Sequence, residues 1–283
     1  MSFRNRMFAP LLVLFAAAVG YPLLYSFYLS LTNYSIVRGK DVHLVGADQY
    51  VRALHEPNYW QALWVTFTFV ICSVILELIV GLSIALALQR QKWARDFTRS
   101  FLLTPMFVTP IAVGLMFRFL LNQQLGIIPV VLAKFGISYD FFGPSKALFS
   151  IVVIDVWQWT PFMVLLLLAG LESLPRQPYE AARVDGASAA YTFRRVTLPM
   201  LSSVLMVAVL IRSLDAMKVF EYVYAITRGG PGTETQTAQY FIYQTGISFF
   251  RLGQASAMAY ILLAIVMAAI VMLFRSVERA EES

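Results

Sequence analysis

Four ionisable residues recur at every third position in an otherwise apolar stretch: Arg212, Asp215, Lys218 and Glu221. Positions three apart are neighbours on a helix, so the alternating signs set each charge beside an opposite one along a slowly winding stripe. A charge at the centre of a membrane-spanning helix costs about 2.5–3.5 kcal/mol, whereas each Leu or Val returns only about 0.3–0.6 kcal/mol. The stripe therefore faces the protein interior. Counted from Met200 at about 1.5 Å per residue, Arg212 lies about 18 Å and Glu221 about 32 Å along the helix. That depth runs from mid-membrane to the outer face and suits a solute path. An ion-pair ladder bracing the helices accounts for the same residues, and the two roles are compatible.

A second cluster, Asp155, Trp157, Gln158 and Trp159, occupies about one turn ahead of Pro161. Sugar sites use such groups: an aromatic face stacks on the apolar side of a pyranose, while carboxylates and amides take its hydroxyls. Packing or interfacial anchoring is the alternative for the two tryptophans. Glu77 is a further carboxylate in an apolar run, with no specific role beyond pairing with a neighbouring helix.

Other chemistries lack their residues. No Gly-x-x-x-x-Gly-Lys-Ser/Thr segment is present, so the chain has no phosphate-binding loop with which to hydrolyse ATP. His43 and His55 are the only histidines and fall in one polar segment, which leaves no Ser-His dyad in the apolar runs and no haem ligand there. Metal-ligand spacings are absent, and a lone Cys72 forms no intramolecular disulfide. No catalytic, metal or cofactor residue is assigned, and the chain is not expected to be an enzyme.

The elements that must position these groups are apolar and long. Of the 283 residues, 59% are hydrophobic and 13% charged, and the mean hydropathy is +0.69. This composition belongs in a bilayer. Six runs approach the roughly 20 residues that a span requires: Met7 to Leu31, Trp64 to Leu88, Ser100 to Leu121, Ala147 to Leu171, Leu198 to Ala225 and Ala255 to Phe274. A cleavable signal peptide is the competing reading of the first run, with its Arg4, Arg6 and Ala16 to Ala18, but the apolar stretch is too long for one.

Basic residues set the orientation, because short cytoplasmic loops carry the excess of Lys and Arg. With the N-terminus inside, the inner segments hold Arg4, Arg6, Arg90, Lys92, Arg95, Arg99, Arg176, Arg183, Arg194, Arg195, Arg275 and Arg279. The outer segments hold fewer: Arg38, Lys40, Arg52, Lys134, Lys146, Arg228 and Arg251. Both termini are thus expected in the cytoplasm. The bias also explains the net charge of +6 without a nucleic-acid partner.

Between the spans, the outer loop from Thr32 to Trp60 carries Tyr50, Val51 and Leu54 on one helical face, predicting a short surface helix. Tyr59, Trp60 and Trp64 follow as interfacial aromatics. The segment from Asn122 to Lys146 is broken by Gly126, Pro129, Gly136, Gly143 and Pro144 and is expected on the membrane surface or as a re-entrant piece. Arg228 to Thr237 is a turn cluster rich in glycine.

The inner segment after the fourth run is a polar, Ala-rich island. Pro175 and Pro178 are helix-start residues, Tyr179 to Asp185 is helix-compatible and Gly186 sits where a C-terminal cap belongs. Ala181, Ala182 and Ala187 leave room for another backbone, while Glu180 and Arg183 share a face and offer both signs of charge.

This island resembles the signature loop of permease subunits of binding-protein-dependent ABC importers, which have the MetI-like fold. The pattern reads Glu180-Ala181-Ala182, then Gly186, then Val196-Thr197-Leu198-Pro199, with Val196 where the family has Ile as the single departure. Leu44 to Tyr50, Asp215 to Glu221 and Thr227 to Gly232 resemble the sugar-type branch, specifically the maltose-type and glycerol-phosphate-type first permease. The resemblance extends over nearly the whole chain.

It implies an all-α membrane protein with six transmembrane helices in a bacterial inner membrane. Residues 1–60 would form a first span and periplasmic loop, and residues 61–283 a five-helix transport domain with its coupling helix in 175–199. Glu180, Ala181, Ala182, Arg183, Asp185, Gly186, Leu198 and Pro199 would couple to an ATPase, with Glu180 facing a basic residue there. The implied partners are a second, unlike permease, two ATPase subunits carrying ATP and Mg, a periplasmic substrate-binding protein and membrane lipid. The implied cargo is a carbohydrate or sugar derivative, with spans four and five lining the cavity. Another solute on the same scaffold, such as a polyol, a phosphorylated or sulfonated sugar or a glycerol diester, stays open.

Overall fold

The computed structural model describes residues 8, 10, 13–39, 42–91 and 95–281. Arg4, Arg6, Lys40 and Lys92, used above for orientation, lie outside the described residues. Among the described residues five helices are long and apolar enough to cross a membrane: Val13–Ser30, Pro57–Arg90, Ala147–Ser173, Ala189–Ala216 and Leu252–Met272. The sixth expected run is a broken one, with Ser100–Phe107 and Pro110–Leu120 meeting at 95°. Proline explains the bend. Pro110 disfavours helical backbone at the preceding residue, and Thr109 is extended, with φ −63° and ψ 138°.

The chain forms two compact units. The first takes Met1–Leu63 and Ala238–Ile265. Within it, α1 (Tyr21–Ser30) leads into α2 (Asp48–Leu54), the expected surface helix, and then into α3 (Pro57–Arg90). The Tyr59 hydroxyl donates to the Met258 carbonyl at 2.8 Å. Phe27 meets the Tyr260 ring edge-on, with centroids 5.4 Å apart.

The second unit takes Trp64–Thr237 and Val266–Ser283. It holds most of α3, followed by α4 (Arg95–Leu103), α5 (Pro110–Leu120), α6 (Ile127–Lys134), α7 (Ala147–Ser173), α8 (Gln177–Val184), α9 (Ala189–Thr192) and α10 (Leu198–Ala216). The span in α7 is 61% buried, against 22% for the Ala189–Ala216 helix, so α7 is the more enclosed of the two. Ile151, Ile154, Met163 and Leu167 on α7 and Leu201 and Ala208 on α10 are almost fully enclosed. In lipid such burial contributes van der Waals packing rather than exclusion of water, and the polar groups give the assembly its register.

Two features of the fifth span differ from expectation. Its helix starts at Ala189, where Ser188 Oγ accepts from the Tyr191 N–H at 3.3 Å, and it passes Pro199 by way of a π-helical turn at Phe193–Thr197. Proline has no N–H to give the preceding turn, and the wider turn accommodates it. The helix then stops at Ala216, short of Lys218 and Glu221. Thr237 Oγ1 donates to the Val219 carbonyl at 3.0 Å, supplying a partner where the helix gives none.

Candidate functional site

The second unit contains two places where polar chemistry is concentrated. One lies among the spans. Arg212 on α10 is 1% exposed, and three carboxylates surround it. Its Nε donates to Glu77 Oε2 at 2.7 Å and its Nη2 to Glu77 Oε1 at 2.9 Å, a two-point grip on α3. Nη2 also donates to Asp155 Oδ2 on α7 at 2.5 Å, and Nη1 to Asp215 Oδ2 at 3.1 Å. The Trp159 ring lies under the guanidinium at 5.2 Å from its centroid. One cation thus ties α3, α7 and α10 together.

Of the expected cluster on α7, Gln158 is also buried. Its Nε2 donates to the Val108 carbonyl at 2.7 Å, at the bend of the broken span. Its Oε1 accepts from the Tyr222 hydroxyl at 2.6 Å. Trp157 instead points outward, 42% exposed, and meets Phe117 edge-on at 5.2 Å. Asp215 and Lys218 are exposed and Glu221 is partly so.

The stripe is therefore divided by depth. Arg212 and Asp155 are spent on internal pairing, while Asp215, Lys218, Glu221 and the half-covered Trp159 reach the surface of this chain. Sequence spacing paired Arg212 with its own helix and gave no sign that Glu77, 135 positions away, holds it at two points. Tyr222 was likewise missed, since an isolated tyrosine carries no periodic signal.

The other place is the island. The helix expected over Tyr179 to Asp185 is α8, with Pro178 in its first turn. It closes in a Schellman pattern: the Ala187 N–H donates to the Ala182 carbonyl at 2.9 Å and the Gly186 N–H to the Arg183 carbonyl at 3.1 Å. Gly186 has φ +70°, a left-handed conformation that suits glycine.

Open recesses flank α8. A groove of about 670 Å³ is lined by Gln89, Glu172, Arg176, Tyr179, Glu180 and Arg183, so Glu180 and Arg183 face one space as their spacing requires. A second recess of about 600 Å³ is lined by Ala181, Ala182, Asp185, Ala187, Tyr191 and Val196. The Tyr179 hydroxyl donates to Thr197 Oγ1 at 3.2 Å, fastening α8 to the foot of the fifth span beside Leu198 and Pro199. Along the chain α8 joins α7 to α10, and Arg212 joins the same two helices among the spans. Among the described residues no group of three or more His, Cys, Asp or Glu is placed to hold a metal ion.

Comparison with known proteins agrees with this architecture. Residues 77–279 match the family model described as binding-protein-dependent transport system inner membrane component. A probable ABC transporter permease protein of Sinorhizobium fredii is 36% identical over 261 residues, covering 92% of this chain and 84% of the relative. The trehalose/maltose transport system permease protein of Thermococcus litoralis is 36% identical over 249 residues, covering 87% and 83%. In fold, the chain is similar to a bacterial ABC transporter involved in import of the acidic polysaccharide alginate, with a TM-score of 0.82, 20% identity, and coverage of 97% of this chain and 94% of that one.

Proposed function

The chain belongs to the family of inner membrane components of binding-protein-dependent transport systems, and from that premise we propose that it is the translocation subunit of an ATP-driven importer for an uncharged carbohydrate. It is a transport subunit and not an enzyme. Residues 61–283 carry the transport domain, residues 1–60 a first span with its periplasmic loop, and both termini lie in the cytoplasm of a bacterium.

In this reading a soluble binding protein delivers its sugar to a cavity between this chain and a second, unlike permease. Two ATPase subunits, which hold ATP and Mg, close against α8. Glu180 pairs with a basic ATPase residue, Ala181 and Ala182 allow close approach, and Arg183, Asp185 and Gly186 fix the end of the helix. Leu198 and Pro199 begin the lever that α8 moves. ATP binding biases a two-state equilibrium between outward and inward access.

The observation that carries the choice of solute is the saturation of Arg212. Its charge is committed to Glu77, Asp155 and Asp215, so it has none to spare for an anion. The groups left at the surface, Trp159, Asp215, Lys218 and Glu221, suit hydroxyls. An anionic sugar or polyol phosphate is the second reading, favoured by exposed Lys218. Thermal-shift screening of the cognate binding protein separates them: neutral sugars raise its melting temperature under the first reading, and phosphorylated or acidic sugars under the second.

A further inference from the structure

A recess in the first unit takes no part in the coupling or the ion cluster. It measures about 420 Å³ and is lined by Tyr34, Ser35, Gln49, Arg52, Arg251 and Gln254, among others. Backbone contacts fix its walls. The Ile36 N–H donates to the Phe250 carbonyl at 3.2 Å and the Gly253 N–H to the Tyr34 carbonyl at 3.0 Å. Gln49 Nε2 donates to the Thr32 carbonyl at 3.0 Å. A Cβ at residue 253 would collide with the Thr32 carbonyl oxygen, so the two segments meet only because that residue is glycine.

Between the two lining residues Phe249 and Arg251, Phe250 is held at φ +57°. A bulky aromatic rarely adopts that conformation, and strain of this kind persists where the surroundings over-determine it, often at functional sites.

The recess is positively charged. Arg52 is balanced by Asp48 at 2.8 Å. Arg251 is exposed, and its guanidinium has no hydrogen bond or ion pair among the described residues. Gln254, in the first turn of the helix that begins at Leu252, lines the same recess with an equally uncommitted amide. A planar guanidinium flanked by an amide and the hydroxyls of Tyr34 and Ser35 is suited to a carboxylate, which Arg takes bidentately.

We propose that this recess receives an aspartate or glutamate side chain of the soluble binding protein. The assignment rests on the transport function proposed above and on the outward orientation of the loops at 32–56 and 249–251. A dependence on a binding protein requires a docking surface on that side, and a preformed, singly positive recess offers one of matching charge.

The test uses the complete transporter in proteoliposomes, with both permeases and both ATPases, titrated with binding protein while ATP hydrolysis is recorded. Arg251→Glu is expected to raise the half-saturating concentration of binding protein about tenfold and to reduce its salt dependence. An acidic-to-basic change on the binding protein should restore it. Arg251→Gln, with a smaller rise, serves if the reversal impairs assembly, and melting temperatures report on folding. Unchanged half-saturation in a folded variant overturns the assignment while leaving the transport function standing. Absence of any response to binding protein in the unaltered transporter overturns both. Calorimetric binding of free glucuronate that depends on Arg251, with docking unaffected, also overturns it and makes the recess a sugar-acid subsite.

Discussion

Arg212 grips Glu77 at two points, Nε to Oε2 at 2.7 Å and Nη2 to Oε1 at 2.9 Å, with both side chains at most 1% exposed. Removing one partner of such a pair strands the other charge, at a cost of about 3–5 kcal/mol. Glu77→Ala and Arg212→Ala should therefore each lower the melting temperature of the purified complex by many degrees. Exchanging Glu77, Asp155 and Arg212 together for apolar residues of similar volume should recover most of the loss. If the single variants melt like the unaltered protein, the cluster does not brace these helices.

Asp155 and Asp215 bind the same guanidinium, one from the interior and one at the surface: the Asp155 side chain is 3% exposed and that of Asp215 50%. Asp155→Asn should destabilise, whereas Asp215→Asn should change stability by no more than about 1 kcal/mol, as for other surface pairs, yet alter solute uptake. Equal effects of the two on stability and uptake would remove the distinction between a bracing and a solute-facing carboxylate.

Tyr222 closes a buried chain that runs through Gln158 to the Val108 carbonyl. Tyr222→Phe leaves the Gln158 oxygen unsatisfied and should cost about 1–3 kcal/mol, measurable as a lowered melting temperature. Gln158→Leu should cost as much or more, because it also abandons the carbonyl at the bend.

Gly186 ends α8 at φ +70°. Gly186→Val places a β-branched side chain there, which should cost about 1–3 kcal/mol locally and loosen α8. Uptake should fall more than ATP hydrolysis does, since the helix would still be present but would transmit motion poorly. A parallel fall in both activities would argue against a mechanical role.

Much of the site was legible because its signals are local. Pro175, Pro178 and the run to Asp185 placed a helix ended by Gly186, and the apolar runs placed the spans. The ion cluster was only partly legible. A three-residue period identifies neighbours on one helix, but Arg212 satisfies itself across space with Glu77 and Asp155, and no spacing encodes that choice. The bend at Val108 and Thr109 was written in Pro110 yet hidden by the unbroken apolarity around it. The stop at Ala216 is accompanied by a bond from Thr237 to the Val219 carbonyl, a contact between segments that no helical spacing encodes.

The most direct test is solute accumulation in sealed proteoliposomes holding this chain, its second permease and the ATPase pair, supplied with binding protein and its best-bound neutral sugar. The sugar should accumulate against its gradient only when ATP and the ATPases are present, and Glu180→Lys should abolish both the accumulation and copurification of the ATPases. Uphill uptake by vesicles that lack any nucleotide-hydrolysing subunit would contradict the account.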